Sequence, residues 1–312
     1  MGSPDFALPS LKALLSAGHE VALVLSRPDQ PAGRGRRLCP TALSAFALEQ
    51  GLPLERPERL RDPALRQRLA ALDADLFVVV AYRILPASLL EVPRMGSINL
   101  HGSLLPHYRG AAPIERALMD GVTRTGLSTF LLNRGVDTGL LLDRVEVDVP
   151  ADETAGELRA RLMELGAPLL ARTVQAVLDG TATGQAQPEG EFPLAPKLGA
   201  EDRLLDPAAD SRALHNRVRA LSPNPGALLS FRGQPVQVLR TAVELAAQAA
   251  SPGRLRSLGG RLWMACGTGE VEILELMPAG RSRMPAKAWL AGARLQGGDA
   301  FTRAALAAQS RE

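Results

Sequence analysis

The chain has 312 residues, enough for two domains or one large one, and its 46% hydrophobic and 22% charged composition is that of a globular protein. Its longest purely apolar run, Leu76 to Ala81, is far shorter than the ~20 residues of a membrane-spanning helix, and no basic start followed by an apolar stretch marks a leader, so a cytoplasmic protein without membrane segments is expected. The net charge is only +3, but residues 201–312 hold 15 Arg and Lys against 10 Asp and Glu, a surplus that hints at a polyanionic partner near that end.

In chain order, the first half alternates helix and strand. Ser10 to Ala17 reads as a short helix stopped by Gly18, and Val21 to Leu25 as an apolar strand. Thr41 to Gln50 and Pro63 to Leu72 are predicted helices, and Leu76 to Val80 is an apolar run of strand length. Ser97 to Leu100, Thr125 to Leu132 and Leu140 to Val149 are predicted strands, with Ile114 to Asp120 a helix between the first two. The alternation implies a doubly wound, mainly parallel sheet covered by helices on both faces. A long helix is expected over Thr154 to Leu178, opened by a Thr154/Glu157 capping box and kinked or split at Pro168.

From Gly180 to Pro196 the periodicity disappears and Gly, Thr, Gln and Pro dominate, which places a linker there. Beyond it come one helix, Ser211 to Leu221, and five β-type runs at Ala227 to Phe231, Val236 to Val243, Gly253 to Leu258, Leu262 to Ala265 and Val271 to Leu276. Short strands at that density predict a small C-terminal β-barrel of oligonucleotide-binding type. The expected domains are therefore 1–182, a linker over 183–202, and 203–312. Cys39 and Cys266 have no cysteine or histidine neighbours at metal-ligand spacing and are read as small apolar side chains, so neither a disulfide nor a metal is expected.

The densest chemistry lies in Asn99-Leu100-His101-Gly102-Ser103-Leu104-Leu105-Pro106-His107-Tyr108-Arg109-Gly110-Ala111-Ala112-Pro113-Ile114, which follows a strand and precedes a helix. An open α/β sheet places its ligand site at such a point, beyond the carboxyl ends of the strands. Asn99 and His101 are two apart on an extended chain and so emerge on one face. A carbonyl under attack needs this pair: a fixed donor for the oxyanion and a base that titrates near neutrality. Asp137, in the turn Arg134-Gly135-Val136-Asp137-Thr138-Gly139, is the candidate to hold the imidazole. Spacing alone leaves open the plainer reading of a loop histidine beside an aspartate in a β-turn.

The company of these residues is informative. Asn-x-His-x-Ser-Leu-Leu-Pro at 99–106, Tyr-Arg-Gly-Ala-Ala-Pro-Ile at 108–114 and Asp-Thr-Gly at 137–139 resemble the methionyl-tRNA formyltransferase family. Gly2-Ser3-Pro4-Asp5-Phe6, the basic stretch Arg27 to Leu38, Ala195-Pro196-Lys197-Leu198, Pro278-Ala279-Gly280-Arg281 and Met284 extend the resemblance over nearly the whole chain. It implies a formyl-transfer domain, a linker and a C-terminal barrel that helps hold tRNA. Asn99, His101 and Asp137 fall on the family's catalytic triad, and Ser103, Leu104, Leu105 and Pro106 on the segment lining the folate site. Arg34, Arg36 and Arg37 fall on the loop that meets the tRNA acceptor stem. His19 and His215 match no catalytic position and are expected to be surface or structural, and His107 lies where the family often has Arg.

The implied reaction moves the formyl group of 10-formyltetrahydrofolate to the α-amino group of initiator methionyl-tRNA, with no metal and a monomeric enzyme. An amino-sugar formyltransferase, or an RNA-binding paralogue impaired in catalysis, are the alternatives. Two departures bear on them. Val80-Ala81-Tyr82-Arg83-Ile84-Leu85-Pro86 is one residue shorter than the family's loop at the folate pocket and lacks its Gly. The family's apolar first strand, ahead of the Gly-x-Pro-Asp-Phe segment, is missing, which at ~1.5 to 3 kcal/mol per large side chain forgoes on the order of 10 kcal/mol of burial. A functional start about six to eight residues upstream of Met1, the length of one ordinary strand, is therefore expected.

Overall fold

The computed structural model describes every residue except 3–4, 33–36, 245–249 and 306–312. The chain divides into two units, one of residues 1–113, 124–147 and 159–195, the other of residues 114–123, 148–158 and 196–312.

The first unit opens with α1 (Leu8–Ser16), β1 (Val24–Leu25), β2 (Gln30–Ala32), β3 (Arg37–Cys39), α2 (Ala42–Glu49), β4 (Leu54–Glu55) and α3 (Pro63–Ala71). The starts of α2 and α3 have local causes. The Thr41 hydroxyl accepts from the Ser44 amide at the head of α2, and Asp62 accepts from Ala64 ahead of α3, where Pro63 needs no hydrogen bond for its nitrogen. Next in chain order come β5 (Phe77–Val80), α4 (Ala87–Leu90), β6 (Ser97–His101), β7 (Arg109–Gly110), α5 (Pro113–Met119), which belongs to the second unit from Ile114 on, β8 (Arg124–Leu131) and β9 (Leu141–Asp148). The capping box forms at the start of α6 (Ala155–Leu178), where Thr154 and Glu157 bond reciprocally. Of the two outcomes expected at Pro168, a kink or a split, the split does not occur: α6 is one element through it, with Leu162, Leu169 and Leu170 wholly buried. Burial of that apolar face outweighs the single hydrogen bond a proline removes. The segment expected as a linker carries β10 (Leu194–Ala195).

The main sheet runs β5-β6-β8-β9 and is mixed, with β5 and β6 parallel and β6 and β8 antiparallel. β1 and β4 form a separate parallel pair. Among the described residues, Met1 and Gly2 bridge the two sheets: the Gly2 amide donates to the Leu25 carbonyl at 3.0 Å and the Val80 amide to the Met1 carbonyl at 2.9 Å. The Met1 amino group donates to the Val78 carbonyl at 2.7 Å, and burial pushes it down to about 5. Beside these residues lies a cavity of about 330 Å³ between β1 and β5, with Leu11, Val21, Leu23, Leu76, Val78 and Val174 among its walls. The expected strand at Val21–Leu25 is reduced to Val24–Leu25, because Val21 to Leu23 border this cavity.

The second unit contains α7 (Ser211–Leu221), β11 (Ala227–Phe231), β12 (Gln234–Glu244), β13 (Leu255–Leu258), β14 (Arg261–Ala265), β15 (Glu270–Pro278), β16 (Met284–Pro285), α8 (Ala286–Ala293) and β17 (Phe301–Arg303). The strands form one antiparallel sheet in the order β13-β14-β15-β12-β11-β17, with β16 added to β15. Register shifts in β12 between Val238 and Thr241 bend it, as the curled barrel-type sheet requires. Leu214, Val218, Val238, Ile273, Trp289 and Phe301 belong to its core. Cys266 joins that core, and burial raises its thiol to about 12, whereas Cys39 is exposed.

Candidate active site

β6 ends on His101, and the loop after it returns as β7, so the carboxyl end of the sheet carries the whole motif. Asn99 lies opposite Val79 and Phe130, and His101 opposite Ser128, so the two side chains leave the strand on one face. The His101 side chain is 7% exposed and that of Asp137 13%, with Nδ1 3.6 Å from Oδ2. His101 Nε2 lies 2.9 Å from the Tyr108 carbonyl oxygen, and the edge of the ring meets Phe130 at a centroid distance of 6.4 Å. The same Asp137 Oδ2 accepts the Gly110 amide at 2.8 Å. A carboxylate oxygen thus faces Nδ1 and a backbone carbonyl oxygen faces Nε2, which fixes the plane of the ring. The Asn99 amide makes no hydrogen bond to another described residue, which leaves it available to a ligand.

Asp137 reaches this position from a strained turn. Its φ of 54° is left-handed, a region aspartate tolerates better than most residues, and Asn133 Oδ1 ties the turn by accepting from the Gly135 amide and the Thr138 hydroxyl, both at 2.9 Å. Gly110 faces it with φ 128°, where a Cβ would fall 2.4 Å from the Ala195 carbonyl oxygen, so only glycine fits.

The four residues expected to line a folate site are placed differently from one another. Ser103, Leu105 and Pro106 are buried and Leu104 keeps partial exposure. Ser103 Oγ donates to the His107 carbonyl at 2.6 Å, and Ser128 Oγ joins the loop by accepting from the Leu105 amide and donating to the Ser103 carbonyl. The shortened loop is fastened by Arg83, whose guanidinium donates to the carbonyls of Pro57 and Glu58, while Tyr82 Oη donates to the Ser26 carbonyl. Of the three arginines expected on the basic loop, Arg34 and Arg36 lie outside the described residues and Arg37 begins β3. His215 is buried and structural, as expected, and His107 stacks edge-on against Phe192 at 5.0 Å.

One residue that sequence reasoning missed is joined to this cluster. Gln187 donates from Nε2 to the carbonyl oxygens of Asp137 and Gly139, both at 2.9 Å, and accepts two bonds from Arg109. It sits in an aperiodic stretch, where no pattern distinguishes it from its neighbour Gln185.

Comparison with known proteins agrees with this architecture. The formyl transferase family model matches residues 1–174, and the model of the formyl transferase C-terminal domain matches residues 197–294. The methionyl-tRNA formyltransferase of Acidobacterium capsulatum is 43% identical over 93% of this chain and 94% of its own, and that of Solibacter usitatus 42% over 95% of each. Among solved structures, an N-formyltransferase from Helicobacter canadensis, in complex with folinic acid and dTDP-3-aminofucose, superimposes with a TM-score of 0.65 at 15% identity, covering 87% of this chain and 96% of that one, a likeness of fold. With both domain models matched in order and relatives above 40% identity over nearly the whole length, the chain belongs to the methionyl-tRNA formyltransferase family of formyl transferases.

Proposed function

We propose that the chain transfers the formyl group of 10-formyltetrahydrofolate to the α-amino group of initiator methionyl-tRNA. The observation that carries this reading is the convergence of His101 and Asp137, 3.6 Å apart and nearly buried, on the face of β6 that also presents the uncommitted Asn99 amide. The neutral amine attacks the formyl carbon, and a new C–N bond forms as the carbonyl electrons move to oxygen. Asn99 donates to that oxyanion. His101 takes the proton from the attacking nitrogen, and its charge is stabilised by Asp137 Oδ2. When the tetrahedral carbon collapses, the bond to the folate nitrogen breaks and the proton held on His101 passes to that nitrogen, which leaves neutral.

In this reading Ser103, Leu104, Leu105 and Pro106 shape the folate side of the site, and Arg34, Arg36 and Arg37 take tRNA phosphates. Residues 1–182 perform the chemistry, 183–202 connect, and 203–312 hold tRNA, in a cytoplasmic monomer. No helix among the described residues is long and apolar enough to cross a membrane. The test is mass spectrometry of the aminoacyl product after incubating the full chain with 10-formyltetrahydrofolate and methionyl initiator tRNA. Formyl-methionine on the tRNA is expected. Formylation of an amino-sugar nucleotide instead, or of nothing while tRNA still binds, would reject the proposal.

A further inference from the structure

We propose that Gln187 is a positioning residue for formyl transfer, acting through Asp137, a role that rests on the reading of His101 and Asp137 as the catalytic pair. The segment that carries it is pinned at both ends. On one side Leu141 and Gln185 exchange backbone hydrogen bonds, 2.8 Å each way, and on the other β10 pairs in parallel with β7. The Tyr108 amide donates to the Pro193 carbonyl at 2.6 Å, so the strap is bonded to the same residue whose carbonyl faces His101 Nε2.

Between these anchors the Gln187 amide uses its full hydrogen-bonding capacity. Both Nε2 hydrogens go to carbonyls of the strained turn, those of Asp137 and Gly139, and Oε1 receives Arg109 Nε at 3.0 Å and Nη2 at 2.5 Å. The orientation of the amide follows from its partners: a flip would set the NH₂ group against the guanidinium hydrogens and the oxygen against two carbonyls. Arg109 precedes Gly110, whose amide bonds Asp137 Oδ2. The aspartate is thus held twice from β7, by its carboxylate directly and by its backbone through Gln187. A glutamate could not donate to the two carbonyls. A residue of similar length with no donor would leave them unpaired and the turn free to relax, carrying the carboxylate away from Nδ1.

The test uses the full chain with Gln187→Met, which keeps the length and bulk of the side chain but removes its hydrogen bonds, and Gln187→Glu, each alone and combined with Asp137→Asn. Misplacing a catalytic group by an ångström costs on the order of 100-fold, so a fall in kcat of about 10- to 100-fold is expected, with the KM values for folate and tRNA changed much less. Combined with Asp137→Asn, either substitution should add little further loss, because both act on one carboxylate. Losses that multiply in the double variants, a change confined to KM, or unaltered kcat would each overturn the positioning role. Loss of folded protein in both single variants would overturn it too, in favour of a purely structural strap. If instead Asp137→Asn and His101→Ala leave formylation intact, it is the underlying assignment of the pair that fails.

Discussion

His101 is enclosed by a carboxylate and a backbone carbonyl, so its ring has little freedom to turn. His101→Ala is expected to lower kcat by about 10²- to 10⁴-fold, the range of general acid–base catalysis, while tRNA affinity measured by filter binding stays within about twofold. Asn99→Ala is expected to lower kcat by about 10²-fold or more through the oxyanion, with folate binding by fluorescence titration nearly unchanged. A variant of either kind that keeps half of the wild-type turnover would remove that residue from the mechanism. The two assignments differ in how far single residues reveal themselves. Asn99 and His101 were legible because strand alternation fixes their common face. Asp137 was named as the partner of the imidazole from its turn and from the family resemblance, but its approach to His101 could not be derived from spacing, since it depends on the Gly110 amide 27 residues earlier in the chain.

Elements with a continuous apolar face were read correctly in kind and place: α2, α3, α6 and α7, and the strands β5, β6, β8, β11 and β12. Those missed are short and owe their existence to a partner. β4, β7 and β10 have two residues each, and no two-residue stretch carries a period. α8 was missed because Ala and Gly fill much of Ala286 to Ala293 and blur its apolar stripe. The aperiodic strap was read as a linker for the same reason, although Ala195 is fully buried. At this scale the basic stretch read from the sequence yields a clear expectation. Replacing Arg34, Arg36 and Arg37 together by Ala should raise the KM for tRNA and reduce its dependence on salt, since each lost phosphate contact releases about one counterion fewer. Steady-state kinetics across a salt series would show it, and an unchanged slope would make the loop a bystander.

Over the whole molecule, several arginines of the C-terminal part and one from α5 are committed to ion pairs. Arg116 pairs with Asp202 at 2.7 Å, Arg256 with Glu270 at 2.7 Å, Arg232 with Asp299 at 2.7 Å, and Arg240 and Arg283 pair with Glu157 and Glu275. Stability should depend on pH through His215. Its Nδ1 lies 2.9 Å from Thr241 Oγ1, Nε2 is 3.1 Å from the Ala151 carbonyl, and burial lowers its pKa despite Asp152 at 3.3 Å. The unfolded chain therefore binds this proton first, and stability should fall as pH drops below about 6.5 until the folded state also protonates. Denaturant unfolding of the wild type and His215→Gln checks the sign: the variant should lose that part of the acid dependence, and a wild type that gains stability on acidification in this window would contradict it. The cavity between β1 and β5 has a consequence of another kind. Strand alternation aims the amides of Leu25 and Val78 into it, and among the described residues neither has a partner there, whereas Val24 bonds Pro53 and Val79 belongs to the β5–β6 ladder. In deuterated water Leu25 and Val78 should therefore exchange their hydrogens orders of magnitude faster than Val24 and Val79, so that isotope exchange reports β1 and β5 as two open strand edges facing one another.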